Sequence, residues 1–318
     1  MSPARSAPLL ALAIAFALAV SGCASKGGAS DGFGDDGAAL RVATTTNFIT
    51  DSVAEVGGSR VDVAGLMGPG VDPHLYRASA GDVTTLRDAD VVFYGGLLLE
   101  AKMEEVLEEI GEERPAIAVT ADVPRGELLE APSNAPAGEE YDPHIWFDVA
   151  LWMRAVETIR DGLVAADPRG AAEYRRNARR YLAELRRLDG WVRQQLTTIP
   201  ARRRVLVTSH DAFRYLGQAY DVDVAAIQGI STADEATTDD IERIAALIAA
   251  RGVRAVFVES SVPPQTIEAV LAAAAQHGAR ARIGGELFSD AAGQPGTPEG
   301  TYTGMVEANV EHLVEGLR

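Results

Sequence analysis

The sequence predicts an α/β protein in which two (βα)4 lobes with parallel sheets are joined by one long rigid helix. Short apolar segments alternate with helical segments, an order that favours parallel sheets covered by helices on both faces. This alternation occurs twice along the chain, and an amphipathic stretch at residues 170–197 separates the two occurrences. Two lobes of similar element order are therefore expected.

The first half of the chain contains four predicted strands and their helices. Residues 124–143 then hold four prolines and two glycines, a composition typical of a loop. The predicted strands are 41–46, 61–67, 90–94 and 116–119, and helices are predicted through Val53, from near Ser79, and over 103–110 and 147–166.

The long helix is predicted from six apolar residues that step by four and three along one face, with Arg and Glu elsewhere. At 1.5 Å per residue it spans roughly 40 Å, the length of a two-lobed molecule. Gly190 weakens it. A coiled-coil strand is the weaker alternative, because the pattern ends at Pro200. The apolar positions are Tyr174, Ala178, Tyr181, Leu185, Leu188 and Val192.

The second half of the chain repeats the order of strands and helices without a residue-level repeat. The predicted strands are 205–208, 222–227, 255–259 and 281–283, and the main predicted helices are 238–251, 264–277 and 301–317.

The N-terminus is predicted to be an export signal followed by a tether. Arg5 precedes an apolar run from Leu9 to Val20 that is too short to cross a bilayer. Cys23, the only cysteine, follows the run directly, so we expect it to be the acylated first residue of a lipoprotein; an ordinary signal with a chance cysteine is the alternative. The expected divisions are signal 1–22, tether 23–39, N-terminal lobe 40–169, linking helix 170–200 and C-terminal lobe 201–318.

The charge of the chain disfavours one class of partner. The formal net charge is −17, so nucleic-acid phosphates would be repelled and binding to nucleic acid is not expected. Such a chain attracts cations to its clefts, although acidity alone is weak evidence for a cation site.

Three of the five histidines and one aspartate point to a metal site. The tripeptide Asp-Pro-His occurs twice and ends at His74 and at His144. His210 follows a predicted strand, and Asp290 lies shortly after the last one. Because ligands in α/β sheets bind beyond the carboxyl ends of strands, these side chains can meet only in a cleft between the lobes. Three imidazoles and a carboxylate suit a divalent transition metal.

Each of these residues also has an interpretation that involves no metal. Each of the three histidines, taken singly, is more often a capping or core residue. Asp72 and Asp142 are equally well placed to accept an imidazole N–H or to form solvated turns. Asp211 and Glu259 are further candidates to support an imidazole, and the two remaining histidines, His277 and His312, are expected at the surface.

The motifs around these residues resemble a known family, the metal-binding lipoproteins of bacterial ABC importers for zinc and manganese. These are the cluster A-I solute-binding proteins, which include TroA-like and ZnuA-like proteins. The resemblance covers nearly all of the chain after the tether. It is carried by the segments Val71–Tyr76, Tyr141–Trp146, Thr208–Leu216, Phe257–Val262 and Glu286–Asp290, with Gly300–Tyr302.

The resemblance implies a function and its residues. It implies that Zn²⁺ or Mn²⁺ is the transported ligand and that His74, His144, His210 and Asp290 bind it. It implies delivery to a membrane ABC permease driven by a cytoplasmic ATPase. We expect a monomer that is not an enzyme, lipid-anchored through Cys23 to the outer face of the bacterial cytoplasmic membrane.

The choice of metal is left open by two departures from family patterns. Zinc-type members often carry a long loop rich in His and Asp before the second ligand histidine, whereas residues 124–143 contain no histidine. Manganese-type members often have Glu at the third ligand position, where this chain has His210, a softer ligand that favours zinc.

Two other functions use the same residues. A zinc hydrolase would keep three protein ligands, an open water position and a nearby general base. A binding protein for a metal chelate would need a roomy pocket with aromatic walls. A pure adhesion role is a further alternative.

Overall fold

The computed structural model describes residues 39–133, 135–136 and 138–318, so the predicted signal, Cys23 and all but the last residue of the tether lie outside the described residues. The N-terminal lobe is built on one parallel sheet in the order β2-β1-β3-β4. Its strands are β1 (Leu40–Thr44), β2 (Val61–Gly65), β3 (Val91–Tyr94) and β4 (Ala116–Ala118).

The helices of this lobe follow the strands in the predicted alternation. Helix α2 begins with a capping box, in which Ser79 and Asp82 bind each other's backbone N–H groups. Asp148 caps the last helix by accepting from the N–H groups of Ala150 and Leu151. The helices are α1 (Asn47–Gly57), α2 (Ala80–Asp88), α3 (Glu104–Glu113) and α4 (Val149–Ala166).

Helix α5 (Ala171–Thr197) is the predicted long helix. Its apolar positions are buried against α1 and α4 of the N-terminal lobe and against the last helix of the chain. It continues without a break through Gly190, which is exposed. The packing of the rest of the helix therefore outweighs the weak helix propensity of glycine, about 1 kcal/mol relative to alanine.

The C-terminal lobe has the same order of strands and helices. Two parallel pairs, β5–β6 and β7–β8, form its hydrogen-bonded ladders, and β5 and β7 lie side by side. The elements are β5 (Val205–Thr208), α6 (Arg214–Tyr220), β6 (Asp223–Ala226), α7 (Thr238–Arg251), β7 (Ala255–Glu259), α8 (Gln265–Gln276), β8 (Arg282–Leu287) and α9 (Tyr302–Leu317).

Strand β8 is longer than predicted because it runs through Gly284 and Gly285. A Cβ atom on Gly284 would lie 2.8 Å from the Cβ of Ala255 and 3.1 Å from the ring of Phe257. The absence of a side chain at Gly284 lets this strand and its neighbours approach closely. Glycines usually indicate a turn, so the sequence pattern ends this strand too early.

A continuous apolar core connects the two lobes through α4, α5 and α9. Within it, Tyr302 of α9 stacks on Trp152 of α4 with ring centroids 5.1 Å apart. Such packing favours small relative movement of the lobes over wide opening.

Among the described helices, none combines the length and the apolar character needed to cross a bilayer.

Candidate metal centre

The structure brings the three predicted histidines and the predicted aspartate to one point between the lobes. His74 lies in the loop after β2, and His144 lies at the end of the proline-rich loop, ahead of α4. His210 follows β5 directly, and Asp290 follows β8. One nitrogen or oxygen of each residue lies within 4.8 Å of those of the others. His74 is 3% exposed and the other three are fully buried.

The separations between these atoms fit a single ion. The Nε2 atoms of His74 and His144 are 3.4 Å apart. Asp290 places Oδ1 3.6 Å from His144 Nε2 and Oδ2 3.3 Å from His210 Nε2. Two ligands at about 2.0–2.1 Å from a tetrahedral ion would be roughly 3.3–3.4 Å apart. Both oxygens of Asp290 therefore face the imidazoles, and the carboxylate can bind an ion through one oxygen or both.

Two of these atoms lack any other partner. His210 Nε2 and Asp290 Oδ1 are buried and make no hydrogen bond to the described residues. A buried polar atom without a partner is destabilising by about 1–3 kcal/mol. A cation between the four side chains would satisfy both atoms at once, so the donor set fits a metal ion.

A carboxylate orients the imidazole of His144. Asp142 Oδ1 lies 2.7 Å from His144 Nδ1 and also accepts from the backbone N–H of His144. Its other oxygen accepts from Arg214 at 3.2 Å. A carboxylate at Nδ1 keeps the proton on that nitrogen, so the lone pair of Nε2 points to the centre. Asp142 is thus both a turn former and an imidazole acceptor, the two roles that the sequence left open.

A second carboxylate orients His210. Glu259 Oε2 lies 2.5 Å from His210 Nδ1, and Oε1 accepts from the backbone N–H groups of Ser209 and His210. Glu259 is 3% exposed, and both of its oxygens are occupied by these bonds. Glu259 therefore supports the imidazole, as the sequence suggested, and its oxygens lie on the side of the ring that faces away from the metal-binding nitrogen.

Asp72 and Asp211 differ from these two carboxylates. Asp72 accepts from the backbone N–H of His74 at 2.9 Å and from the hydroxyl of Thr232 at 2.5 Å, so it acts as a turn former that also reaches the C-terminal lobe. Asp211 lies near the guanidinium of Arg214, at 3.8 Å. Within the described residues neither contacts an imidazole, so the support predicted as possible for them is not observed.

The pKa values of the centre are strongly shifted in the metal-free protein. Burial, with help from the other two imidazoles, lowers the pKa of His74 to about 3. Burial alone would lower the pKa of His210, but Asp290 and Glu259 outweigh it and raise that pKa well above its usual value. Burial opposes ionisation of Asp290, but the imidazoles, His210 foremost, hold its pKa below the usual range. The centre therefore pairs an anionic Asp290 with a His210 that readily holds a proton.

The other two histidines lie away from the centre. His277 is exposed and its Nε2 is 3.2 Å from Glu242. His312 is half-buried, and its Nδ1 is 2.6 Å from the carbonyl oxygen of Glu286. Arg214 was not singled out from the sequence, because a lone arginine in a helix is usually solvated and its contact with Asp142 depends on the tertiary fold.

The chain matches one protein family along most of its length. The profile described as ZnuA, zinc-uptake complex component A periplasmic, matches residues 42–316. The manganese-binding lipoprotein MntA of Bacillus subtilis (strain 168) is 44% identical over 281 residues, which cover 88% of this chain and 90% of that protein. The manganese ABC transporter substrate-binding lipoprotein PsaA of Streptococcus pneumoniae is 29% identical over 320 residues, which cover 98% and 99%.

A solved structure agrees with these matches. The periplasmic zinc-binding protein TroA of Treponema pallidum superposes with a TM-score of 0.84 and 43% sequence identity, covering 88% of this chain and all of that one. The resemblance expected from the motifs is confirmed by these comparisons, and the chain belongs to the ZnuA family of periplasmic zinc-uptake components.

Proposed function

We propose that this protein captures Zn²⁺ or Mn²⁺ outside the cytoplasmic membrane and delivers the ion to an ABC permease. The observation that carries the proposal is the buried meeting of three imidazoles and one carboxylate within 4.8 Å of one another. His74, His144, His210 and Asp290 are the proposed ligands.

The arrangement is compatible with either metal. Three nitrogens and one oxygen suit Zn²⁺, and the separations of 3.3–3.6 Å between neighbouring ligand atoms are close to those of a tetrahedral site. A carboxylate with both oxygens turned to the centre offers Mn²⁺ a fifth ligand, and Mn²⁺ favours oxygen. Because Zn²⁺ exceeds Mn²⁺ in general affinity for such sites, the tighter metal in a purified sample need not be the transported one.

The partner and location are proposed by analogy with the relatives. Two of them are named lipoproteins, and one of these is named a substrate-binding component of a manganese ABC transporter. The present chain would therefore serve a permease with a cytoplasmic ATPase. It would be a monomer held at the outer face of the membrane by a lipid on Cys23.

The buried carboxylates argue against a zinc hydrolase. A hydrolase needs an open coordination position and a general base beside the bound water. Glu259, a buried carboxylate beside a proposed ligand, binds two backbone N–H groups and His210 Nδ1. Since these bonds occupy both oxygens on the far side of the ring, Glu259 is not placed to accept a proton from water at the ion. We therefore propose that the protein is not an enzyme.

The size of the centre argues against a metal chelate. A chelate or organic solute would need a pocket of about 300–1,000 Å³. The four proposed ligands are at most 3% exposed, and their metal-binding atoms enclose room for one ion.

The proposal is tested by metal titration of chelator-treated protein. Zn²⁺ and Mn²⁺ should each bind with one ion per chain, measured by calorimetry and by elemental analysis after gel filtration. Replacing His144 with Ala should weaken binding by more than about 100-fold, since even partners that only support a ligand contribute 10- to 100-fold.

The matched control is His277→Ala, which removes an exposed histidine that also has a carboxylate neighbour. It should bind like the wild type. Wild-type protein that takes up neither metal would refute the proposed function, and equal losses in the two variants would refute the proposed ligands.

A further inference from the structure

The backbone on both sides of Asp290 is held by two asparagines. Asn309 of α9 donates to the carbonyl oxygen of Phe288 and accepts from its N–H, both at 2.8 Å. Asn47 of α1 does the same with Ala292, again at 2.8 Å for both bonds. Each amide thus pairs with both polar backbone groups of a residue two positions from Asp290.

The two asparagines come from different lobes. Asn309 belongs to the C-terminal lobe, like Asp290 itself. Asn47 is the first residue of α1 in the N-terminal lobe, 245 positions from Ala292 in sequence. Trp146, two residues after His144, adds a third contact by donating its indole N–H to the carbonyl oxygen of Ser289 at 3.0 Å. The segment that carries Asp290 is therefore held by hydrogen bonds from the N-terminal lobe.

We propose that Asn47 is a positioning residue that couples the placement of the Asp290 carboxylate to the contact between the lobes, and so sets how fast the bound ion is released. The inference deepens the proposed function and rests on it. Asp290 is the only proposed oxygen ligand, and its carboxylate must meet imidazoles of the other lobe. An ion can leave this buried centre only when these ligands separate, and separation between lobes breaks the Asn47–Ala292 pair.

A similar contact on the other side of the centre supports this coupling. Asp72, which holds the backbone of His74, also accepts from Thr232 of the C-terminal lobe at 2.5 Å. The backbone near a ligand of each lobe is thus connected by hydrogen bonds to the facing lobe. Closure of the lobes and assembly of the ligand set therefore occur together.

The test is the release rate of Zn²⁺ and Mn²⁺ from Asn47→Ala, measured by stopped-flow transfer to an excess of chelator. Loss of two ordinary hydrogen bonds should raise the rate by about tenfold. The visible absorption spectrum of bound Co²⁺, which reports the number and geometry of ligands, should change as well. A merely structural role for Asn47 would leave that spectrum unaltered.

The matched control is Asn177→Ala. Asn177 of α5 donates to the carbonyl oxygen of Val56 of α1 at 3.1 Å, which is likewise an asparagine-to-backbone bond between distant parts of the chain but involves no residue beside the ligands. It should lower thermal stability without changing the release rate or the Co²⁺ spectrum. Wild-type rates in Asn47→Ala, or the same change in both variants, would overturn the inference.

A measurement on the unaltered protein covers the case in which Asn47→Ala does not fold. Hydrogen exchange at the amide of Ala292 should slow when metal is added, because the coupling makes the Asn47 bond stronger when the ligand set is complete. Unchanged exchange at Ala292, in protein that demonstrably binds metal, would overturn the inference and leave the proposed function intact.

Discussion

Replacing Glu259 with Gln should impair the centre although Glu259 touches no ion. Glu259 accepts from the N–H groups of Ser209 and His210 through one oxygen and faces His210 Nδ1 with the other. The amide oxygen of Gln would keep the hydrogen bonds from the two backbone N–H groups, so the amide NH₂ group would face Nδ1. Because an NH₂ donor needs an acceptor, Nδ1 would lose its proton and Nε2 would carry it, which blocks metal binding by that nitrogen.

The expected loss is about 10- to 100-fold in metal affinity at alkaline pH, the usual effect of removing such a partner. The difference in metal affinity between Glu259→Gln and the wild type should become smaller as pH falls. Glu259 and Asp290 raise the pKa of His210 in the metal-free wild type, so a proton competes with the metal below that raised pKa. In the variant one of the two carboxylates is gone, and competition begins at a lower pH.

The assay is calorimetric titration of Zn²⁺ at several pH values from 6 to 9, with circular dichroism to verify folding. The control is Glu242→Gln, which alters the exposed Glu242–His277 pair and should leave binding unchanged. If Glu259→Gln bound Zn²⁺ within about twofold of the wild type throughout this range, the assigned tautomer of His210 would be wrong.

The remaining predictions concern protons, a neighbouring arginine and stability. Because His210 readily holds a proton in the metal-free centre, Zn²⁺ binding near neutral pH should release a proton, counted by calorimetry in buffers of different ionisation enthalpy; zero release would contradict the raised pKa. Arg214→Met should weaken Zn²⁺ binding by no more than about tenfold, which is less than the loss of a ligand, because Asp142 keeps its bond to His144. Zn²⁺ titration of Arg214→Met beside His144→Ala checks this, and equal losses of affinity would contradict it. Gly190→Ala should stabilise the metal-free protein by up to about 1 kcal/mol, because the position is exposed, mid-helical and free of neighbours within 4 Å of a new Cβ; an unchanged or lower melting temperature would contradict it.

The position of the centre could be anticipated from the sequence because its residues follow strand ends. His210 comes directly after β5, and the alternation of strands and helices predicts where β5 ends. His74 and His144 were marked by a repeated tripeptide in a chain with few histidines. The carboxyl ends of parallel strands in one sheet face the same way, so the fold class places the loops that follow the strands of each lobe at one edge of its sheet.

The surroundings of the ligands could not be anticipated, since identical tripeptides have different contacts. Asp142 binds the ring of His144, whereas Asp72 binds only the backbone of His74. Local sequence does not distinguish the two; their partners, Arg214 for Asp142 and Thr232 for Asp72, are fixed by the tertiary fold.

A strained loop in the N-terminal lobe was also missed. Three consecutive residues, Gly96, Leu97 and Leu98, have positive φ, of 82°, 55° and 62°. The buried carboxylate of Glu100 accepts from the N–H groups of Gly95 and Gly96 and from the hydroxyl of Thr45, which offsets the strain. A leucine gives no sign of positive φ in a sequence, so this feature is visible only in the fold.

Four side chains distant in sequence are proposed to bind one ion. The most direct measurement is a crystal structure of the zinc-loaded protein with anomalous data at the zinc edge. We expect one anomalous peak at about 2.0–2.2 Å from the Nε2 atoms of the three histidines and from the carboxylate, these residues being His74, His144, His210 and Asp290. A peak elsewhere, or one of these imidazoles beyond bonding distance in a fully loaded crystal, would contradict it.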